Sequence, residues 1–141
     1  MRARGIAATI SIVAAVCACY GGIGIPKQQA GETYPGERSD VVGTIEVDGY
    51  GCIRVRLDDG ASFAAIWPAS ANQGRDDYVN LGWFQRDLGD GDQVRGTAAL
   101  TPLASLPSWD NNGYWRYALG ACVQDGETEA IVFDSAEGIE G

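Results

Sequence analysis

The sequence predicts an all-β domain: a small barrel of five to six short strands with one disulfide. Three observations predict it. Apolar and polar residues alternate with period 2 along several short segments, the mark of half-buried strands. Gly- and Asp-rich turns separate those segments, and no long helical period or internal repeat interrupts them. Two cysteines, Cys52 and Cys122, stand far apart in a chain that opens like an exported one.

The opening is Met1-Arg2-Ala3-Arg4, basic and free of acids, followed by an uncharged apolar run from Gly5 to Ala18. Basic, apolar and then small residues in that order form the secretory pattern, so residues 1–18 are expected to be a signal peptide. The run is shorter than the roughly 20 residues a membrane-spanning helix needs. Val16-Cys17-Ala18-Cys19 resembles the lipobox of bacterial lipoproteins, with an aliphatic residue at −3, a small one at −1 and the cysteine that takes the lipid. The resemblance implies that Cys19 is lipidated and that the protein is held on the outer face of the cell membrane. An ordinary signal-peptidase site would also cut before Cys19, and the alternative is a secreted form with a spare thiol there.

Cleavage leaves roughly 120 residues, the size of one domain. Arg2 and Arg4 leave with the leader, so the mature chain is more acidic than the −9 of the whole. Such a surface repels phosphate backbones, which argues against nucleic acid as a partner. Acyl chains, not a basic patch, are the expected hold on the membrane. With Cys17 removed and Cys19 used, Cys52 and Cys122 remain to pair in an oxidising compartment. The bridge would close a loop of about 70 residues, worth roughly 3–4 kcal/mol in the chain-entropy model. A two-cysteine metal site lacks partners, because the chain has no histidine; no metal or other cofactor is expected.

Residues 19–40 are Gly-, Pro-, Gln- and Glu-rich without apolar period, and read as a flexible tether. The barrel is expected over residues 41–134. Val41–Asp48 forms the first strand, Gly49-Tyr50-Gly51 a turn, and Cys52–Leu57 the second strand, with Ile53, Val55 and Leu57 inward and Arg54 and Arg56 outward. Asp58-Asp59-Gly60 is a hairpin turn, and Ser62–Trp67 returns until Pro68 stops it. Ala69 to Gly91 reads as irregular β around Tyr78–Phe84, ending in the turn Asp87–Asp92. Gln93–Leu100 is a fourth strand and Tyr114–Val123 a fifth, its phase placing Trp115, Tyr117 and Leu119 in the core. Glu129–Asp134 can add a sixth, and residues 135–141 read as a frayed tail.

A three-strand meander, a longer connection and two more strands is the order of an OB-like barrel. Its third and fifth strands run parallel, which would bring Cys52 and Cys122 to one rim. Gly51-Cys52, the alternating strand, Asp59-Gly60, Trp67-Pro68 and Gly91-Asp92-Gln93-Val94-Arg95-Gly96 are together similar to a pattern in small bacterial lipoproteins and exported proteins of uncharacterised role. The resemblance implies export and a small β barrel, and no activity.

Catalytic groups are scarce. Without histidine there is no Ser–His or Cys–His pair, and the only lysine, Lys27, sits in the tether. Carboxylate pairs could serve a glycosidase, but with 19 acids some pair is always close. Asp87, Asp90 and Asp92 lack the spacing of a calcium loop and read as a solvated turn, as do Asp58-Asp59 and Asp76-Asp77. Trp67 reads as structural. Trp83, Trp109 and Tyr114, on irregular segments beside Asn and Gly, are the candidate ligand-binding residues; rings there suit sugar or peptide capture and equally suit capping of the barrel. The expectation is therefore a non-catalytic exported lipoprotein acting as a binding or interaction module at the cell envelope, with a glycan or protein partner. The alternatives are an envelope-structural or stress-related protein without small ligand, and a carboxylate-based hydrolase.

Overall fold

A computed structural model describes residues 25–49, 51–74, 78–82 and 85–139. Seven strands are β1 (Ser39–Val47), β2 (Ile53–Leu57), β3 (Ser62–Ile66), β4 (Asn72–Gln73), β5 (Val79–Asn80), β6 (Gln93–Pro102) and β7 (Glu129–Ile139), and one helix is α1 (Tyr114–Leu119). Five of the strands close a barrel in the order β1-β2-β3-β7-β6. β1, β2 and β3 are the expected antiparallel meander, with Ile45 opposite Val55 and Val55 opposite Phe63. β3 and β7 are parallel, Ala65 to Ile131 and Ile66 to Val132. This is the expected OB-like order, and Cys52 and Cys122 are joined by a disulfide with Cα atoms 5.4 Å apart.

The fifth barrel strand is not the one expected. Tyr114–Leu119 is helical, not extended, and the parallel partner of β3 is β7 around Ile131–Phe133. The reason lies in β3 and β7 themselves. Ala64-Ala65-Ile66-Trp67 and Ala130-Ile131-Val132-Phe133 are continuous apolar runs, all almost fully buried. A strand apolar on both faces needs cover on both. Inside the barrel, Ala65, Trp67, Ile131 and Phe133 join Ile45, Val55 and Val94, and the Trp67 and Phe133 rings stack at 5.2 Å. Outside it, Ala64, Ile66, Ala130 and Val132 meet Trp115 and Leu119 of α1, with Leu103, Leu106 and Tyr34. Trp115 and Leu119 are four residues apart, so a helix puts both on one face, and it turns Tyr117 outward, 64% exposed.

The tether and the tail also differ from expectation. Residues 25–38 are packed against the barrel. The Trp67 N–H donates to Pro26 O and the Gln28 N–H to Trp67 O, both at 2.9 Å, where β3 and β7 diverge. The Gln28 side chain donates to Phe133 O at 2.8 Å, the Thr101 hydroxyl to Pro35 O at 2.7 Å, and Arg38 pairs with Asp134 at 2.9 Å. Single buried anchors, Ile25 and Tyr34, suffice to hold a segment with no apolar period. β1 accordingly begins at Ser39, and residues 19–24 lie outside the described residues. At the other end, residues 135–139 continue β7 against β6, Gln93 pairing with Ile139, past a bulge at Thr97/Ala98. The backbone ladder holds them where side-chain alternation gives no signal. Gly138 leaves the room that Leu88 fills: a Cβ there would stand 2.8 Å from its Cδ2.

Tyr34 carries a pH consequence. Burial first, and its bond to Glu32 as well, push its phenol up to about 12, although the Gln29 N–H pulls the other way. The unfolded phenol ionises near pH 10, so between pH 10 and about 12 the unfolded state loses a proton that the folded state keeps. Stability should fall across that window by up to about 1.4 kcal/mol per pH unit. Urea denaturation at pH 9, 10.5 and 11.5 checks this; Tyr34→Phe should flatten the slope.

Candidate functional site

The insertion between β6 and β7, residues 103–128, is where the aromatic candidates collect. Leu103–Ser105 forms a 3-10 turn, α1 follows, and Gly120–Cys122 is a second 3-10 turn. Ser108 turns the chain with a left-handed φ of 57°, and Gly113 packs so closely against it that a Cβ would lie 2.7 Å from the Ser108 Cβ. Glycine at that N-terminal cap lets the loop fold back before α1 begins.

Trp109 and Tyr114 are both half-buried against the outer apolar cluster. Arg116 lies over the Trp109 ring, 4.5 Å from its centroid, a cation–π contact. Tyr114 meets Trp115 edge-on at 4.8 Å, and Trp115 meets Tyr34 edge-on at 5.7 Å. The Trp115 indole donates to Glu32 at 2.8 Å, and Glu32 also accepts from the Tyr34 hydroxyl at 2.8 Å. Burial raises the Tyr114 phenol pKa against the pull of the Lys27 backbone N–H. The N-terminal segment and the insertion thus close over β3 and β7 together. Trp83, the third candidate, lies outside the described residues.

Two features pin the insertion to the barrel wall. One is the Cys52–Cys122 disulfide. The other is Arg54, expected to face solvent and instead only 3% exposed. Its guanidinium donates to Cys122 O at 2.8 Å, Ser62 O at 2.9 Å, Ser62 Oγ at 3.2 Å and both oxygens of Glu127, Oε1 at 3.1 Å. Every N–H direction of the fork has an acceptor, which is what a buried guanidinium requires.

Among the exposed residues of the insertion, Arg116 and Tyr117 stand beside the half-buried Trp109, while most of the others are small or polar, such as Ser105, Asp110, Asn111 and Asn112. Sequence reading missed Arg116 and Tyr117 by treating the segment as a strand. The signal that could have found them is Gly113 before an apolar pair spaced by four, Trp115 and Leu119. A second feature is a shallow depression of about 510 Å³ at one barrel end, lined by Val41, Leu57, Leu100 and Ile131 with Glu37 and Ser39 beside them.

The acidic turn has structural work. Asp87 accepts from Asn80 Nδ2 at 2.9 Å, Asp90 from the Val47 N–H at 2.8 Å and Asp92 from the Gly89 N–H at 2.8 Å. Asp59 likewise accepts from the Ala61 N–H; Asp76-Asp77 lie outside the described residues. Among the described residues, no group of three or more acids and cysteines is arranged to hold a metal ion.

Compared with protein-family models, with curated proteins and with solved structures, the chain matches none.

Proposed function

We propose that this protein is a non-catalytic, lipid-anchored binding or interaction module of the cell envelope, and that the surface it presents is the Trp109–Arg116–Tyr117 patch of the insertion. The observation that carries the reading is the exposure of Tyr117 beside a guanidinium stacked on an indole. Tyr, Trp and Arg are the residue types that dominate binding hot spots, since each offers large contact area with a polar handle. The patch is also held rigid, because the disulfide and Arg54 fix the turn that follows α1. Rigid presentation lowers the entropy cost of capture.

Export and anchoring are supported by the leader, by the likeness of Val16-Cys17-Ala18-Cys19 to a lipobox and by the disulfide, which needs an oxidising compartment. The carboxylates Glu127, Glu32, Asp87, Asp92 and Asp134 are engaged by Arg54, Trp115, Asn80, Gly89 and Arg38, which supports a binding role over a hydrolytic one.

The test is a pull-down from membranes with the lipidated protein, beside a glycan array on the soluble domain. The double variant Arg116→Ala/Tyr117→Ala should lose about 1–3 kcal/mol of binding to whatever is captured, with the unfolding midpoint nearly unchanged. Trp109→Ala should weaken binding and stability together, because that ring also packs on the outer cluster. Undiminished capture by the double variant would remove the patch from the reading.

A further inference from the structure

Ile25, already packed into the barrel core, is close in sequence to Cys19, and this bears on how the domain would sit at a membrane. Resting on the lipid-anchored reading above, we infer that the barrel is held on a short leash against its own bilayer, with the end of β3 toward the lipid and the Asp58–Gly60 turn away from it. Five residues separate Cys19 from Ile25 in the sequence, six steps along the chain. At about 3.5 Å per residue, even a fully stretched chain reaches only roughly 20 Å. Ile25 is buried, and the next residues are fixed beside the end of β3: Pro26 O accepts from the Trp67 N–H, and Lys27 Nζ donates to Ala71 O at 3.1 Å. The Pro68–Gln73 turn must therefore lie near the headgroups.

Charge and side-chain type favour the same face. In a chain with 19 acids, Pro68-Ala69-Ser70-Ala71-Asn72-Gln73 carries none, and Lys27 lies against it. Tyr78, beside the β4–β5 pair, is 39% exposed, and tyrosine suits the membrane–water interface. The same end also carries Asp48, Asp87 and Asp90, which accept from the Cys52 N–H, Asn80 Nδ2 and the Val47 N–H, so the contact is the acid-free Pro68–Gln73 stretch beside Lys27. The opposite end is acidic, with Glu37, Asp58, Asp59, Asp125 and Glu129 at the strand ends and turns there. Strand rise of about 3.3 Å per residue puts the Asp58 turn and Trp67 roughly 20–30 Å apart along the chain. This orientation turns the depression at Val41, Leu57 and Leu100 outward.

The test uses the full lipidated chain in phosphatidylcholine vesicles that contain a lipid with a nitroxide on its headgroup. A fluorophore is attached at Ser70→Cys or at Asp58→Cys, both exposed positions. The label at position 70 should be quenched several-fold more strongly than the label at position 58. A Gly–Ser insertion of twelve residues after Gly24 should abolish the difference. Equal quenching in protein that floats with the vesicles, or a difference that survives the insertion, overturns the orientation while leaving the anchor intact. Protein that does not float with the vesicles overturns the anchored reading and this inference with it.

Discussion

Replacing Arg54 by alanine should cost about 3–5 kcal/mol of folding stability, the range for leaving one member of a buried ion pair without its partner. Glu127 would be the stranded charge, its side chain only 10% exposed. The loss goes further than one pair. The same guanidinium satisfies Cys122 O and Ser62 O, and both carbonyls would lose that donor. The link broken is between β2 and the turns that follow α1, so the insertion should loosen before the barrel does. Hydrogen exchange would read the amides of Trp115 and Leu119 in that insertion separately from those of the barrel strands. The paired change Arg54→Met/Glu127→Leu should cost less than Arg54→Ala alone, since it removes the stranded charge. A loss below about 1 kcal/mol for Arg54→Ala would mean that water reaches the site and that the insertion is not held as described.

Opening the Cys52–Cys122 disulfide should lower stability by about 2–4 kcal/mol. The bridge spans a sequence separation of 70, so it restrains a large part of the unfolded chain. A domain of this size buries only about two-thirds of its unfolded surface, which makes the loss a substantial share of its margin. Cys52→Ala/Cys122→Ala should reproduce the effect of reductant. Because Arg54 also bonds to Cys122 O, the disulfide and the ion pair hold one joint, and their losses should not add. Additive losses would show two independent joints instead.

Period 2 made the meander legible. Ile53, Val55 and Leu57 alternate with arginines, Asp58-Asp59-Gly60 marks the reversal, and β1, β2 and β3 fall within two residues of their expected spans. The cysteine pairing was legible too, from compartment and arithmetic, but Cys122 reaches Cys52 from the insertion rather than from the rim of the barrel's fifth strand. Cys122 lies in a 3-10 turn after a helix and is not the end of a strand.

Tyr114–Val123 misled because aromatic residues carry high strand propensity, while tertiary burial of Trp115 and Leu119 favours a helix. The two continuous apolar runs, Ala64–Trp67 and Ala130–Phe133, already demanded a covering layer, and only a helix was on offer. Arg54 shows the limit of alternation. A residue on the outward phase is solvent-exposed only if nothing covers that face, and here the insertion does. The N-terminal segment was illegible for a related reason: its order rests on backbone pairing with Trp67 and on the isolated anchors Ile25 and Tyr34, and neither leaves a periodic trace.

The most direct test of a disulfide-bonded module held at the envelope by Cys19 is the intact mass of the protein recovered from cells, measured without reduction. The account predicts a chain that begins at Cys19, carries the mass of the attached lipid and lacks two hydrogens for the closed Cys52–Cys122 bridge. A chain that still begins at Met1, with both thiols free, would contradict it.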